Sequence, residues 1–236
     1  MQKLMSYMRC AMQRYNMVDE GDRVAVGLSG GKDSVAMLVA LAKMRDFYPK
    51  RFNLVAISLD PCFDNVENDY SKILELCDLI DVELVIKRTH LWDTIFNQRN
   101  EKNPCSLCAK MRRGALHNIS KEMGCNKVAL GHHMDDVAET FMMNLLNGGS
   151  IGSFGPVAYL SRKDITLIRP MIFARGIDCA RAAHKNNLPI VESRCPVDGK
   201  TEREKTKLLL NSMEKKHGNV RNMILSAMQK GEISGY

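Results

Sequence analysis

The chain has 236 residues, enough for one α/β domain with a full core, and 45% of them are apolar, which excludes a disordered protein. The longest strongly apolar stretch, Val35 to Ala42, is far short of the ~20 residues that span a membrane. The formal net charge of +7 is compatible with a nucleic-acid partner without establishing one.

In chain order, Met1 to Met17 reads as an amphipathic helix carrying Lys3, Arg9 and Arg14. It lacks the continuous apolar region of a secretion signal, so a cytoplasmic location is expected. Its Met-rich face (Met5, Met8, Met12) suggests a homodimer contact. Arg23–Leu28 reads as a strand and Lys32–Phe47 as a helix, apolar almost all round and therefore buried. Phe52–Asp60 is a second buried strand. Val66–Ile80 has helical spacing, with Ile73, Leu76, Cys77 and Ile80 on one face. Val82–Lys87 is a third strand. His90–Gln98 reads as a short helix broken by Asn103-Pro104, and Cys108–Met123 as the next helix. Lys127–Gly131 is a fourth strand, and Met134–Leu146 a helix stopped by Asn147-Gly148-Gly149. Gly152–Pro156 reads as a flexible loop, Thr166–Pro170 as a fifth strand and Ile177–Asn187 as a helix, followed by extended Leu188–Val191. Thr201 to Gln229 is helical with a break near Gly218. Alternating strands and helices imply a parallel sheet covered on both faces, with its ligand at the carboxyl ends of the strands. The expected organisation is an N-terminal helix (1–20), an α/β domain (21–200) and a helical C-terminal tail (201–236).

The strand Val24–Leu28 runs into Ser29-Gly30-Gly31-Lys32-Asp33-Ser34 and then a helix. That order aims backbone N–H groups at an anion, with Lys32 adding charge. It is neither a Walker A loop, because Val26 stands at the first Gly position and Asp33 follows Lys32, nor a G-x-G-x-x-G fingerprint. Gly30 and Gly31 let the backbone close round an oxyanion, and Ser29 and Ser34 can donate to it. Asp33 can cap the helix or help hold Mg²⁺. The run resembles the PP-loop of the N-type ATP pyrophosphatases. That resemblance implies that the loop grips the β- and γ-phosphates of ATP while the α-phosphate is attacked.

Eight cysteines in a chain expected in the cytoplasm read as thiols and metal ligands rather than disulfides. Cys105 and Cys108 are spaced so that one turn offers two thiolates to one metal, and Cys195, before the stiffening Pro196, would make three. Cys10, Cys62, Cys77, Cys125 and Cys179 read as small buried hydrophobes. A structural zinc site is the plain alternative for the trio; it needs a fourth ligand that is not evident among His90, His117 and Cys125. Basic residues crowd the same region, with Arg99, Lys102, Lys110, Arg112, Arg113 and Lys121 facing the single acid Glu101.

The PP-loop, Pro104 before the cysteine pair, Lys110-Met-Arg-Arg113 after it, and the third cysteine together resemble the tRNA 2-thiocytidine synthetase family. Gly131-His132-His133-Met134-Asp135-Asp136, continued by Glu139-Thr140 and Asn144 through Gly149, is similar to that family's Gly-His-His-x-Asp-Asp stretch. The likeness covers roughly residues 1 to 200. It differs at Cys195, which lies in Ser193-Arg194-Cys195-Pro196 rather than in a second Cys-x-x-Cys; one cysteine there suffices for three ligands.

The resemblance implies a twisted parallel sheet of the adenine nucleotide alpha hydrolase type, a Rossmann-like PP-loop fold. It implies an enzyme that adenylates the C2 oxygen of a tRNA pyrimidine, an anticodon-loop cytidine in this family, and replaces it with sulfur. Cys105, Cys108 and Cys195 would hold a 4Fe–4S cluster, and Lys32 and Asp33 would act on ATP with the rest of the loop. The Ser58 and Asp60 strand end, Gly131 and His132 would meet the nucleotide, and Asp136, with Asp135 as a weaker candidate, would serve Mg²⁺ or the adenylate. Lys110, Arg112 and Arg113 would hold tRNA, and a cysteine desulfurase would supply sulfur. Two rivals stand beside this: an ATP pyrophosphatase adenylating a small molecule with structural cysteines, and a non-catalytic RNA-binding or redox-sensing protein.

Overall fold

The computed structural model describes residues 1–98, 104–197, 199 and 201–236. The chain runs α1 (Gln2–Arg14), β1 (Asp22–Gly27), α2 (Lys32–Arg45), β2 (Phe52–Asp60), α3 (Ser71–Leu79), β3 (Glu83–Arg88), α4 (Pro104–Glu122), β4 (Lys127–Ala129), α5 (Met134–Gly148), β5 (Val157–Leu160), β6 (Ile165–Ile168), α6 (Gly176–Lys185), α7 (Glu202–His217) and α8 (Val220–Lys230). The strands form one sheet in the order β3-β2-β1-β4-β6-β5, parallel except at the β5–β6 edge. The strand order reverses direction between β1 and β4, the switch point where such sheets bind ligands beyond their carboxyl ends.

Each central strand is apolar on both sides because both faces are covered. Val24, Val26, Leu54 and Ala56 face a large core with α1, α2, α5, α6 and α8. Ala25, Val55, Ile57 and Leu59 face a smaller core closed by Leu116 and Ile119 of α4. One face is thus built by many helices and the other chiefly by α4, the helix that carries the cysteine pair.

Several expectations are corrected. α4 starts at Pro104, not at Cys108: proline suits the first helical turn, where its missing N–H leaves no orphan. α3 starts at Ser71 rather than Val66, because residues 61–70 are held in a loop around Asp60. An antiparallel hairpin, β5–β6, stands where only one strand was read. Gly152–Pro156 is tied down: Asn144 donates to Gly152 O, Ser153 Oγ to Val137 O, and Ser153 N to Ser234 Oγ. On the methionine face of α1, Met8 and Met12 are fully buried in the chain's own core and Met5 is half-buried against it. Cys10 is exposed on α1 and Cys62 half-exposed, whereas Cys77, Cys125 and Cys179 are buried as read. Arg99, Glu101, Lys102 and Asn103 lie outside the described residues.

Candidate functional site

The phosphate loop joins β1 to the first turn of α2. Ser34 Oγ accepts from Ser29 N (3.1 Å) and donates to Gly31 O (2.9 Å), while Gly31 N donates to Ser29 Oγ (3.3 Å). The two serine hydroxyls lie 3.0 Å apart. The loop is closed by its own side chains, leaving the first N–H groups of α2 without intrahelical acceptors, as at any helix start. Gly30 has φ +81°, and a Cβ there would lie 2.8 Å from Val191 Cβ. Val191 N donates to Gly30 O (3.0 Å), so the extended segment after α6 lies directly against the loop. Lys32 Nζ meets Asp33 Oδ2 at 2.6 Å, and Asp33 Oδ1 is buried with no partner among the described residues.

β4 brings the second half of the site. A Cβ on Gly131 would lie 3.4 Å from the Ser34 backbone, so glycine lets the two chain turns approach. His133 N donates to Asp136 Oδ2 (2.9 Å), capping α5, and His133 Nε2 lies 3.9 Å from Asp33 Oδ2. The His132 ring stacks on Phe154, with centroids 4.7 Å apart, and Arg169 lies over the other member of that pair, 4.7 Å from the Phe154 centroid. Burial holds His132 neutral, well below the usual imidazole range.

The two aspartates differ. Asp135 accepts from Arg175 Nε (2.5 Å) and from Gly176 N (2.9 Å), which caps α6; Arg175 continues to Glu214 of α7 (3.1 Å), and Glu214 to the buried Arg221 of α8 (2.6 Å). Its carboxylate is therefore committed to helix packing. Asp136 Oδ1 accepts from Arg203 Nη1 (3.0 Å), whose Nη2 reaches Thr140 Oγ1 (3.2 Å). Glu139, one turn on, is buried; burial and then Asp136 push its carboxyl up to about 7, with Arg203 opposing.

At the β2 end, Ser58 and Asp60 are both buried. Asp60 spends its carboxylate on the following loop, accepting from Cys62 N (3.0 Å), Asn68 N (2.8 Å) and Asn68 Nδ2 (2.7 Å). Among the described residues these bonds make Asp60 a loop organiser.

The cysteines meet at the start of α4. Cys105, Cys108 and Cys195 line one cavity of about 190 Å³ with Phe63, Pro104, Arg112 and Val197. Burial and then the Cys195 thiol push Cys105 up; burial pushes Cys108 up, with Arg112 pulling it back. No three His, Cys, Asp or Glu side chains among the described residues converge tightly enough to hold a single metal ion. Cys195 lies only four residues after Val191, which is bonded to the phosphate loop, and four extended steps span at most about 14 Å. The glycine loop and the thiols thus share one end of the sheet.

Arg203, Arg175 and the Val191 contact were not read from the sequence. A signal for Arg203 exists: Thr201 caps α7 by accepting from Glu204 N, the Thr-x-x-Glu pattern that announces a helix start and sets Arg203 on its first turn.

A PP-loop domain family model matches residues 5–208. The chain is 31% identical over 235 residues to a tRNA-cytidine(32) 2-sulfurtransferase of Syntrophotalea carbinolica, covering 92% of this chain and 85% of that protein. It is 35% identical to one of Citrifermentans bemidjiense, covering 92% and 86%. Its fold is similar to that of the U34-tRNA thiolase NcsA from Methanococcus maripaludis, solved with its 4Fe–4S cluster, at TM-score 0.77 and 23% identity over 96% of this chain and 78% of that one.

Proposed function

The chain belongs to the PP-loop domain family and, within it, to the tRNA-cytidine 2-sulfurtransferases, and we propose that it is an ATP-dependent enzyme replacing the C2 oxygen of a tRNA cytidine with sulfur. The cytidine C2 oxygen attacks the α-phosphorus of ATP and the bond to pyrophosphate breaks. A sulfur nucleophile presented at the cysteine site then forms a bond to C2, the C2–O bond breaks, and AMP leaves with the oxygen.

In this reading the N–H groups opening α2 and the Lys32 ammonium hold the β- and γ-phosphates and offset the charge of the departing pyrophosphate. Asp33, with one buried oxygen unpartnered, and Asp136 are the carboxylates available to Mg²⁺; Asp136 would have to exchange Arg203 for the ion. Asp135 is not assigned to the ion, since Arg175 and Gly176 already occupy it. Gly131 and His132 border the nucleotide, Ser58 lies at the adjacent strand end, and Asp60 shapes the loop beside it.

The three thiols fit an iron–sulfur group. They are soft ligands lining one cavity with apolar walls, Arg112 balances their charge, and among the described residues no fourth protein ligand is set for the tetrahedron of a structural zinc site. A 4Fe–4S cluster held there would supply one iron free of protein ligand for carrying sulfur. Lys110, Arg112 and Arg113 line the approach for the RNA backbone, and a cysteine desulfurase is the class of donor that would deliver the sulfur.

The observation that carries the reading is the short tether from Val191 at the phosphate loop to Cys195 at the thiol cavity. The first experiment is anaerobic purification with iron and sulfide analysis and a visible spectrum. A broad iron–sulfur band, lost in Cys105→Ala, Cys108→Ala and Cys195→Ala, is expected. A colourless protein with stoichiometric zinc would overturn the cluster, and no binding of tRNA at low salt would overturn the thiolation.

A further inference from the structure

The β5–β6 hairpin, absent from the sequence reading, ends in a four-residue turn, Ser161-Arg162-Lys163-Asp164, with Asp164 in the left-handed region at φ +48°. The tip is latched onto α4. Lys121 Nζ donates to Asp164 O (3.1 Å) and Oδ2 (3.2 Å), and Lys163 Nζ donates to Asn118 Oδ1 (2.7 Å). Tyr159 OH donates to Asp164 Oδ1 (3.0 Å), so the one acid of the turn is consumed in fixing it.

What remains is positive. Lys110 and Arg113 lie three residues apart on the exposed side of α4, and Arg162 and Lys163 are exposed at the hairpin tip. None of the four pairs with a carboxylate among the described residues; Arg113 Nε donates to Ala109 O and Lys163 to a neutral amide. His117, between them on α4, is held below its ordinary range first by burial and then by Arg113 and Lys163, which sets cations of both elements round one spot. The ridge begins beside the cysteine cavity, where Arg112 is part of the lining, and follows α4 to the latch at Lys121. At ~1.5 Å per helical residue, Cys105 to Lys121 is about 24 Å.

We propose that this ridge, with the hairpin tip as its far anchor, receives the phosphate backbone of the RNA stem flanking the target nucleotide, while the loop nucleotide reaches the cysteine end. The inference rests on the tRNA reading above and adds a direction to it. The surface is cationic and polar rather than apolar, it is assembled from two elements held rigid against each other, and its length exceeds what a single loop nucleotide would touch. Phosphates in a row meet all three features, because binding then grows with each cation that displaces a counterion.

The test is the double variant Arg162→Ala/Lys163→Ala, with Arg162→Glu as a stronger perturbation. Binding across a salt series would be compared for unmodified tRNA, its isolated anticodon stem-loop, and a single-stranded oligonucleotide carrying only the loop sequence. Both side chains are exposed and Lys121 still ties Asp164 to α4 without them, so an unchanged unfolding midpoint is expected and verifies folding. For tRNA and the stem-loop the slope of log K against log salt should fall by about 2, roughly one per cation removed. The single-stranded oligonucleotide should bind as it does to the unaltered protein. Unchanged slopes for stem-containing RNAs that the unaltered protein binds would overturn the ridge, leave the thiolation reading standing and point to a different partner, such as an acidic protein. Equal losses for all three RNAs would overturn the stem assignment. Failure of the unaltered protein to bind any of them would overturn both readings.

Discussion

In the phosphate loop Ser29, Gly31 and Ser34 bond to one another within six residues, whereas the thiols of the cysteine cavity line a pocket with apolar walls. The loop is held in shape by its own hydrogen bonds. The cavity collects three thiols; burial pushes Cys105 and Cys108 up, and a metal must displace their protons as it binds. Preorganisation suits a substrate that comes and goes; an incomplete site suits a group that stays.

The largest expected effects separate the two regions. Lys32→Ala should slow pyrophosphate release by about a hundredfold or more while leaving the iron content intact. Cys195→Ala should abolish thiolation and the visible band while ATP still binds. ATP titration and metal analysis of both variants check this; loss of ATP binding in Cys195→Ala would show that the two regions form one unit.

The next effect is on pH, and it belongs to the phosphate side alone. Glu139 holds its proton to about pH 7 in the folded chain against an ordinary 4.5. The folded state therefore binds more protons between those values. The stability this gives is full below about 4.5 and is lost as pH rises through 7, amounting to at most about 3 kcal/mol. Glu139→Gln should flatten that fall and be more stable than the unaltered chain near pH 8, as urea midpoints at about pH 5 and pH 8 would reveal. An unaltered slope would mean that Arg203 already balances the ionised carboxylate.

Gly30→Ala tests the tether between the regions. The φ of +81° and the contact with Val191 at 2.8 Å leave no room for a methyl group. A cost of about 2 kcal/mol is expected from strain of this kind. Because Val191 leads to Cys195, the variant should also lower iron occupancy after reconstitution. Intact iron occupancy with weakened ATP binding would cut the tether out of the account.

What the sequence made legible follows the range of the interactions. The phosphate loop is local: glycines, a lysine and two serines in six residues, with a strand before and a helix after. The strands through Val24–Leu28 and Phe52–Asp60 announced themselves because both their faces are apolar. The β5–β6 hairpin did not, since Val157–Leu160 is short, half-buried and at the sheet edge, with no strong alternation. The Met-rich face of α1 carried a true apolar signal, but periodicity cannot say whether the chain's own core or another copy covers it. Asp135 and Asp136 are adjacent and chemically alike; only the fold gives the first to Arg175 and Gly176 and the second to Arg203.

Arg203 sharpens the comparison last, because it acts between the regions from a position eight residues beyond Cys195. It is about two-fifths exposed (42%) and bonds to Asp136 and Thr140. Solvent screens such a pair, so Arg203→Ala should cost only about 1 kcal/mol of stability. Its chemical effect should be larger than its structural one. Without the guanidinium, Asp136 loses the cation that competes with Mg²⁺, and Glu139 loses the charge that opposes its protonation. The Mg²⁺ concentration for half-maximal ATP use should fall, and the pH at which stability declines should rise. Arg203→Lys, which keeps charge but cannot span Asp136 and Thr140 as a fork, should restore the pH behaviour and only part of the Mg²⁺ dependence. If both variants leave the Mg²⁺ dependence untouched, Asp136 is not the residue that meets the ion, and Asp33, with its buried unpartnered oxygen, takes that place.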